Sequence, residues 1–434
     1  LMSYLIKAAG PLLILSFVLT VFNAWVPNNI EGLQGVFTWL AGIILFFDLA
    51  VKQKKIILTI ATFAIMSWLV AWQTGEIAHI DKAFSANQLM IVMLIGVQFL
   101  QLVALPVDKK AKALPTGVKA FVRTYLGVHF FGSVINLSAV LLVADRMVKE
   151  AQLSMNQLKL LTRAFSSGAH WSPFFAAFAA ALVFTPEASL PIVMGVGFGL
   201  AVLAFLITFF EAKANKQEGI EEFIGYPVRF EALWLPVGLV ILVALAHYAF
   251  PAVSVLILIA MCSLLLSLVV LLLRQGLSKG GMGFIHYGVN RLPQMKNELL
   301  LFLIAGVFGS GLAAALDGLS IVIPFQHFDG FVASVILLWM FVLAILGVHP
   351  VISIAVIGHW IISIEPNQTL LAITFLMAWA IGVSASPISG INLALHGRYG
   401  ASGEQIFKWN IAYASKLYLF DCVILMAAGY LLGV

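Results

Sequence analysis

The chain has 434 residues, of which 62% are hydrophobic and only 10% charged, with a net charge of +5. Soluble domains carry roughly 25% charged residues, so this composition excludes an ordinary soluble enzyme or binding domain and describes one polytopic membrane bundle. The positive balance is not a nucleic-acid footprint: the basic residues gather in a few inter-helix stretches, as membrane topology requires. The expected partners are the lipid bilayer and a small solute, and no nucleic acid.

In chain order, spans of the roughly 17–25 residues that a bilayer needs are predicted at about Ala8–Val26, Gly35–Val51, Ile56–Trp72 and Leu89–Leu105. The first ends in Trp25-Val26-Pro27 without a small-residue cleavage site, so it reads as a retained helix rather than a signal peptide. A basic loop with Lys52, Lys54 and Lys55 follows the second span, and another with Lys109, Lys110, Lys112, Lys119 and Arg123 follows the fourth. Basic loops stay inside, which puts these loops and the N-terminus in the cytoplasm of a plasma (inner) membrane.

Tyr125–Lys149 is apolar, charged on both flanks, and interrupted in the middle by Ser133, Asn136 and Ser138. A re-entrant hairpin over about 124–150, entering and leaving on the cytoplasmic side, reconciles those features. A helix over about 160–185 then crosses outward, broken at Ser166–Pro173, and Leu190–Glu211 returns to a loop with Lys213, Lys216 and Arg229.

The second half repeats the scheme with Ala232–Phe250, Val253–Leu273, a loop carrying Arg274, Lys279, Arg291 and Lys296, and Leu299–Leu316. An apolar stretch over about 332–364 is broken at Gly347-Val348-His349-Pro350 and has no Lys or Arg on either side, so it reads as a hairpin entering from outside. A helix over about 369–396, broken at Gly382–Gly390, crosses inward to Arg398 and Lys408, and about Trp409–Val434 leaves the C-terminus outside.

The expected fold class is therefore an all-α polytopic membrane protein of about eleven transmembrane helices plus two re-entrant hairpins in an inverted repeat. Residues 1–34 form an extra N-terminal helix, 35–231 the first repeat and 232–434 the second. Three observations agree on the repeat. Ser172-Pro173 recurs 214 positions later as Ser386-Pro387, and Val134, Ala164 and Gly168 match Val348, Ala378 and Gly382 at the same offset. Asn136 and Pro350, at the two hairpin centres, each precede the proline of their break by 37 positions. The charge pattern, finally, turns the two halves to opposite sides.

Unwound backbone is tolerated at membrane depth only where it is buried in protein or lines a polar cavity, and paired broken helices point to a transporter's binding site. The N–H groups that start the second half of a broken helix suit an anionic solute. Freed carbonyls and small hydroxyls suit a cation such as Na⁺. The candidate solute-binding residues are Asn136, Ser167, Gly168, His170, Trp171, Ser172, His349, Ser384, Ser386, Ser389 and Asn392. The candidate cation-binding residues are Ser133, Asn136, Gly168, Gly347 and Ser386. The alternative for any one Ser or Gly is close helix packing.

His170 and His349 can donate to a carboxylate or carry a proton near working pH, or simply pack; His129 and His359 read as structural. Asp48, Glu211, Asp317 and Asp421 lie near helix ends or in the terminal helix, and Arg163 and Arg398 flank the broken helices, steering an anion or only obeying topology. Cys262 and Cys422 sit in apolar runs, so no disulfide and no metal site is expected. No cofactor is expected beyond a coupling ion, Na⁺ or H⁺. No catalytic motif is present, so the chain does not read as an enzyme.

At Ser133-Val134-Ile135-Asn136, Gly347-Val348-His349-Pro350, Ser172-Pro173 and Ser384-Ala385-Ser386-Pro387, the chain resembles the ion transporter superfamily. That group includes divalent-anion/sodium symporters, citrate carriers and the large membrane subunits of tripartite periplasmic transporters. The eleven-helix, two-hairpin plan is similar to the symporters over nearly the whole chain, although neither tip carries their Ser-Asn-Thr motif. The resemblance implies elevator movement of hairpins and broken helices against a dimeric scaffold, hence a homodimer, and, by the tripartite likeness, a periplasmic binding partner. The reading is a secondary transporter for a small, anionic solute coupled to Na⁺ or H⁺. An arsenite-type efflux antiporter is the alternative within transport, and a channel or intramembrane enzyme the alternatives outside it.

Overall fold

The computed structural model describes residues 2–26, 32–77, 80–104, 114–148, 152–226 and 234–434. Among them no strand forms beyond one isolated bridge between Thr116 and Ile224; the fold is all-helical. The helices are, in order, α1 (Met2–Trp25), α2 (Leu33–Phe46), α3 (Val51–Thr74), α4 (Ile80–Ala83), α5 (Gln88–Gln98), α6 (Gln101–Ala104), α7 (Val118–Ile135), α8 (Leu137–Val148), α9 (Met155–Ser167) and α10 (Ala176–Phe184). They continue as α11 (Leu190–Ala214), α12 (Trp234–Ala249), α13 (Val255–Gln275), α14 (Leu277–Asn290), α15 (Lys296–Gly318), α16 (Gly330–Ile345), α17 (Pro350–Ile361), α18 (Gln368–Ala385), α19 (Gly390–Tyr399) and α20 (Gly403–Leu432).

Among the described residues, seven helical stretches are long and apolar enough to cross a membrane, and five shorter apolar helices, α2 and α16 among them, accompany them. The chain is thus a polytopic membrane fold. The contrast between stretches is informative. The window through α18 is entirely buried within the protein, whereas those of α3 and α11 are 28% buried. A helix apolar all round and wholly enclosed is a central element, and one apolar but exposed faces lipid.

The chain divides into two compact units that cut across the two sequence halves. Unit one comprises Leu1–Val103, Gly238–Gln326 and Ile354–Ser363. Its long pairs are α3 with α15, α1 with α2 and α5 with α13. Small residues set these contacts: a Cβ on Gly96 would lie 2.4 Å from the Ala260 carbonyl oxygen, and one on Gly10 2.6 Å from that of Gly288. Backbones approach this closely in membranes because packing, not water exclusion, drives helix association.

Unit two comprises Ala104–Val237, His327–Ser353 and Ile364–Val434. Within it α18 is surrounded by α9, α10, α11, α16 and α20. It holds both hairpin tips and both helix breaks.

Several elements differ from expectation. Lys52, Lys54 and Lys55 are not in a loop but in the first turn of α3, and Lys54 Nζ donates to the Phe47 carbonyl at 2.8 Å, closing the end of α2. The stretch carrying Lys279, read as a loop, is helix α14. The loop was read from its basic residues, but its glycines serve helix packing: a Cβ on Gly280 would lie 3.0 Å from the Leu271 carbonyl oxygen, and one on Gly288 2.7 Å from Ile14 Cδ1. The fourth span is interrupted at Phe99–Leu100, giving α5 and α6. Lys109, Lys110, Lys112, Lys149 and Arg229 lie outside the described residues.

Candidate functional site

The first hairpin is α7 and α8 joined at the single residue Asn136, which has φ 62° and ψ −153°. Ser133 and Ser138, expected to interrupt the helix, are inside α7 and α8. The Asn136 N–H donates to Gly132 O at 3.1 Å and its carbonyl accepts from Ala139 N–H at 3.2 Å, so one residue reverses the chain. That backbone region is populated essentially only by glycine, and holding another residue there costs of order 1–3 kcal/mol. Asn136→Gly is therefore expected to unfold at higher temperature than Asn136→Ala, by an equivalent of about 1–3 kcal/mol. Thermal unfolding in detergent checks this; equal stabilities would mean that the tip stores no strain.

The first break starts where α9 ends. Ser154 and Gln157 form a capping box that fixes the start of α9, and the helix runs to Ser167. A single 3-10 turn follows, Gly168–His170, and then five non-helical residues, 171–175, before α10. Pro173 lies inside this segment, which is where a residue without an N–H belongs.

Tip and break are joined directly. Ser172 Oγ donates to the Ser133 carbonyl at 2.7 Å. A Cβ on Gly168 would sit 3.2 Å from Ser133 Cβ, so glycine allows the break to lie against the tip. His129, read as structural, is the larger connector. Trp171 Nε1–H donates to His129 Nε2 at 3.0 Å. His129 Nδ1 must then carry the ring proton, and it faces Ser167 Oγ at 2.9 Å and Ala164 O at 3.1 Å. Tyr125 OH adds a contact to Ser167 Oγ at 3.3 Å. The signal was present in the sequence, because residues four apart share a helix face and His129 is four before Ser133.

His170 is buried, and its Nδ1–H donates to Ser167 O at 3.2 Å. This leaves Nε2 as a bare lone pair, and it has no hydrogen-bond partner among the described residues. Buried polar atoms are usually paired, and each exception calls for a reason.

The second half builds an equivalent junction from different residues. Gly347, with φ 97°, turns the chain between α16 and α17. A Cβ there would meet Ile388 Cδ1 at 2.9 Å, and one on Gly382 would meet Ala344 Cβ at 3.0 Å and Pro350 Cγ at 3.2 Å. Gly168 and Gly382, 214 positions apart in the sequence, thus each press a broken helix onto its own hairpin. His349 Nδ1 accepts from the Val351 N–H at 3.2 Å, and its ring meets Trp379 edge-on at 5.3 Å.

The second break is shorter than expected. Gly382 and Ser384 remain helical, Ser384 Oγ donating back to Ile381 O at 2.8 Å, and only Ser386–Ser389 leave the helix. Ser389 caps α19 by accepting from the Asn392 N–H at 3.4 Å. The Asn392 side-chain amide donates to Ser386 O at 2.8 Å and also faces Ser384 O and Val383 O at 3.3 and 3.4 Å. The carbonyls freed by this break are thus held by the protein's own amide. Asn392 Oδ1 accepts from Thr162 Oγ1 of α9 at 3.4 Å, tying the two broken helices together.

Arg163, read as flanking the broken helix, is inside α9 and fully buried. Its guanidinium donates to both Glu211 carboxylate oxygens, to Asn410 Oδ1 and to the Trp409 carbonyl, and it lies 4.3 Å from the Tyr413 ring centroid. Arg398 is exposed and pairs with Asp145 of α8 at 2.6 Å. Asp48 pairs with Lys296.

No family model and no curated protein matches the chain. Among solved structures, it is similar to the Alcanivorax borkumensis YdaH transporter, whose crystal structure is described as having an unusual topology. The two are 14% identical, with a TM-score of 0.44, over 86% of this chain and 84% of that one.

Proposed function

We propose that this chain is an elevator-type secondary transporter that moves a small, anionic solute across the plasma (inner) membrane, coupled to Na⁺ or H⁺. The observation that carries the reading is that each hairpin tip lies against its own broken helix through a glycine, with both junctions in one compact unit. An elevator needs such a unit, able to move as one piece while the remaining helices stay fixed. The resemblance to the ion transporter superfamily, read from the same four motifs, points the same way.

Within this reading the two junctions divide the work. At the first, the open Nε2 lone pair of His170, the Asn136 amide and the N–H groups opening α10 offer both a donor surface and an acceptor. Trp171 is half-buried beside them, and His129 acts as a positioning residue. At the second, Asn392 ties up the carbonyls, so Ser384, Ser386 and Ser389 act through backbone shape, with His349 at the tip. Any cation is held by the first junction, through Ser133, Asn136 and Gly168, rather than by Gly347 and Ser386. The scaffold is proposed to dimerise, and the N-terminus to be cytoplasmic with the C-terminus outside.

A thermal-stabilisation screen of the purified protein, with carboxylates, amino acids and inorganic anions in the presence and absence of Na⁺, tests the proposal. One anionic class should raise the unfolding temperature, by about 2.7 kcal/mol at a hundredfold excess over Kd, and His170→Gln should reduce that shift. Stabilisation only by neutral or cationic solutes would contradict the anion assignment.

A further inference from the structure

The buried stripe of α20 runs Ile406, Asn410, Tyr413, Ala414, Leu417, Asp421, Leu425 and Ala428, a spacing of three and four residues that keeps one face toward the protein. Asp421 occupies a position that an apolar residue would fill. It is fully buried, and neither carboxylate oxygen has a hydrogen-bond partner among the described residues. At a rise of 1.5 Å per residue, it lies about 18 Å from Trp409 and about 16 Å from Leu432, well inside the apolar length of α20.

Among the described residues, none supplies a compensating charge to Asp421. α16 runs beside this part of α20: Tyr418 OH donates to Ser334 O at 3.3 Å, and a Cβ on Gly330 would lie 2.6 Å from Leu425 O. Neither α16 nor α18, which also packs on α20, carries a titratable residue within the helix; Asp329, which caps α16 beside Gly330, has its carboxylate engaged by the Val332 N–H at 2.8 Å. Ser334 donates its hydroxyl to its own helix at Gly330 O, 2.7 Å away. The other helices packed on α20 bring Lys159 and Arg163 (α9), Glu211 and Lys213 (α11), and His396, Arg398 and Tyr399 (α19). Arg163 and Glu211 are engaged at Trp409 and Asn410, about 16 Å along the helix from Asp421. On α20 itself the titratable neighbours are Tyr413, Lys416, Tyr418 and Cys422, and Lys416 is on the exposed face.

An ionised carboxylate without a partner in such a place is costly enough that the group keeps its proton instead, and no cluster of His, Cys, Asp and Glu that could hold a metal ion forms among the described residues. Ionisable residues inside membrane spans are retained for proton or ion pathways. We propose that Asp421 is the residue that carries the coupled proton, so that H⁺ rather than Na⁺ drives the transport read above, on which this inference rests. On one side an O–H bond forms on Asp421 with a proton given up by hydronium, leaving water. On the other side that bond breaks, the proton returns to water, and the carboxylate is left.

Infrared spectroscopy of the full-length protein in lipid tests this directly. The wild type should show a protonated-carboxyl stretch that vanishes when the pH is raised and returns when it is lowered. The band should shift in wild type made with carbon-13 aspartate, which narrows it to an aspartate whether or not a variant folds, and it should be missing from Asp421→Asn but kept in Asp317→Asn and Asp329→Asn. The absence of any such band, or one unchanged at every pH where the protein stays folded, would overturn the proposal. The band reports on Asp421 whether or not a solute moves, so the failure of transport itself would be seen separately, in an uptake assay.

Discussion

Arg163→Met is expected to destabilise the protein by about 3 kcal/mol, the lower end of what removing one partner of a buried ion pair costs. The guanidinium is fully enclosed and joins three helices, α9, α11 and α20. Its forked contact with Glu211, at 2.8 and 3.3 Å, is the kind that holds geometry as well as charge. The cost stays at the lower end because Glu211 keeps Lys159, 2.7 Å away, and its side chain is 31% exposed. What the variant orphans is Asn410 Oδ1, while the Trp409 carbonyl, inside α20, loses only its second donor. Arg163→Lys should recover little, because an ammonium cannot reach Glu211, Asn410 and Trp409 together. Melting temperatures of the three proteins in detergent check the order, and a stable Arg163→Met would show that the α9–α11–α20 junction is held by packing alone.

Gly197→Ala should be the most damaging small substitution near the first break. A Cβ there would lie 2.0 Å from the His170 carbonyl oxygen and 3.0 Å from Trp171 Cα. Both are backbone atoms, so no side chain can swing away, and α11 has to move off the unwound segment. Overpacking of this kind costs about 1–3 kcal/mol and occasionally more, and here it also displaces His170 and Trp171. Two residues away on either side, about half a turn round the helix, nothing lies within 4 Å of a Cβ on Gly195 or Gly199. Alanine at those positions should be neutral or stabilising by up to about 1 kcal/mol through helix propensity. Loss of solute-dependent stabilisation in Gly197→Ala, with retention in Gly195→Ala, is the expected pattern. Equal behaviour of the two would mean that the close approach of α11 to the break has no bearing on binding.

Much of the helical plan was legible because apolar length and Pro/Gly/Ser interruptions are local signals. The breaks after Ser167 and at Ser386–Ser389 fall where Ser-Pro removes a donor and bends the chain. The tips at Asn136 and Gly347 fall where the apolar runs turn polar. What sequence could not show was which polar group meets which. The burial of Arg163 depends on Glu211 and Asn410, 48 and 247 positions away, and before they are placed a basic residue near a helix end reads as a topology signal. Asn392 was assigned to the solute by its location just past the break, but its amide is occupied by carbonyls of its own segment. α14 was missed because its basic residues read as a loop, and glycines that let helices approach look the same in sequence as glycines that make loops. His129 was set aside as a lone histidine, and only its contacts with Trp171 and Ser167 show its place.

The central claim, coupled movement of a small anion, is tested most directly by uptake into proteoliposomes. Vesicles holding the full-length protein are given a defined mixture of carboxylates, amino acids and inorganic anions, with a pH or Na⁺ gradient imposed, and their contents are read by mass spectrometry. One anionic solute should accumulate unchanged above protein-free vesicles, its uptake should saturate, and that uptake should collapse when the driving gradient is removed. Passage that neither saturates nor depends on a gradient, or a solute recovered in chemically altered form, would contradict the claim.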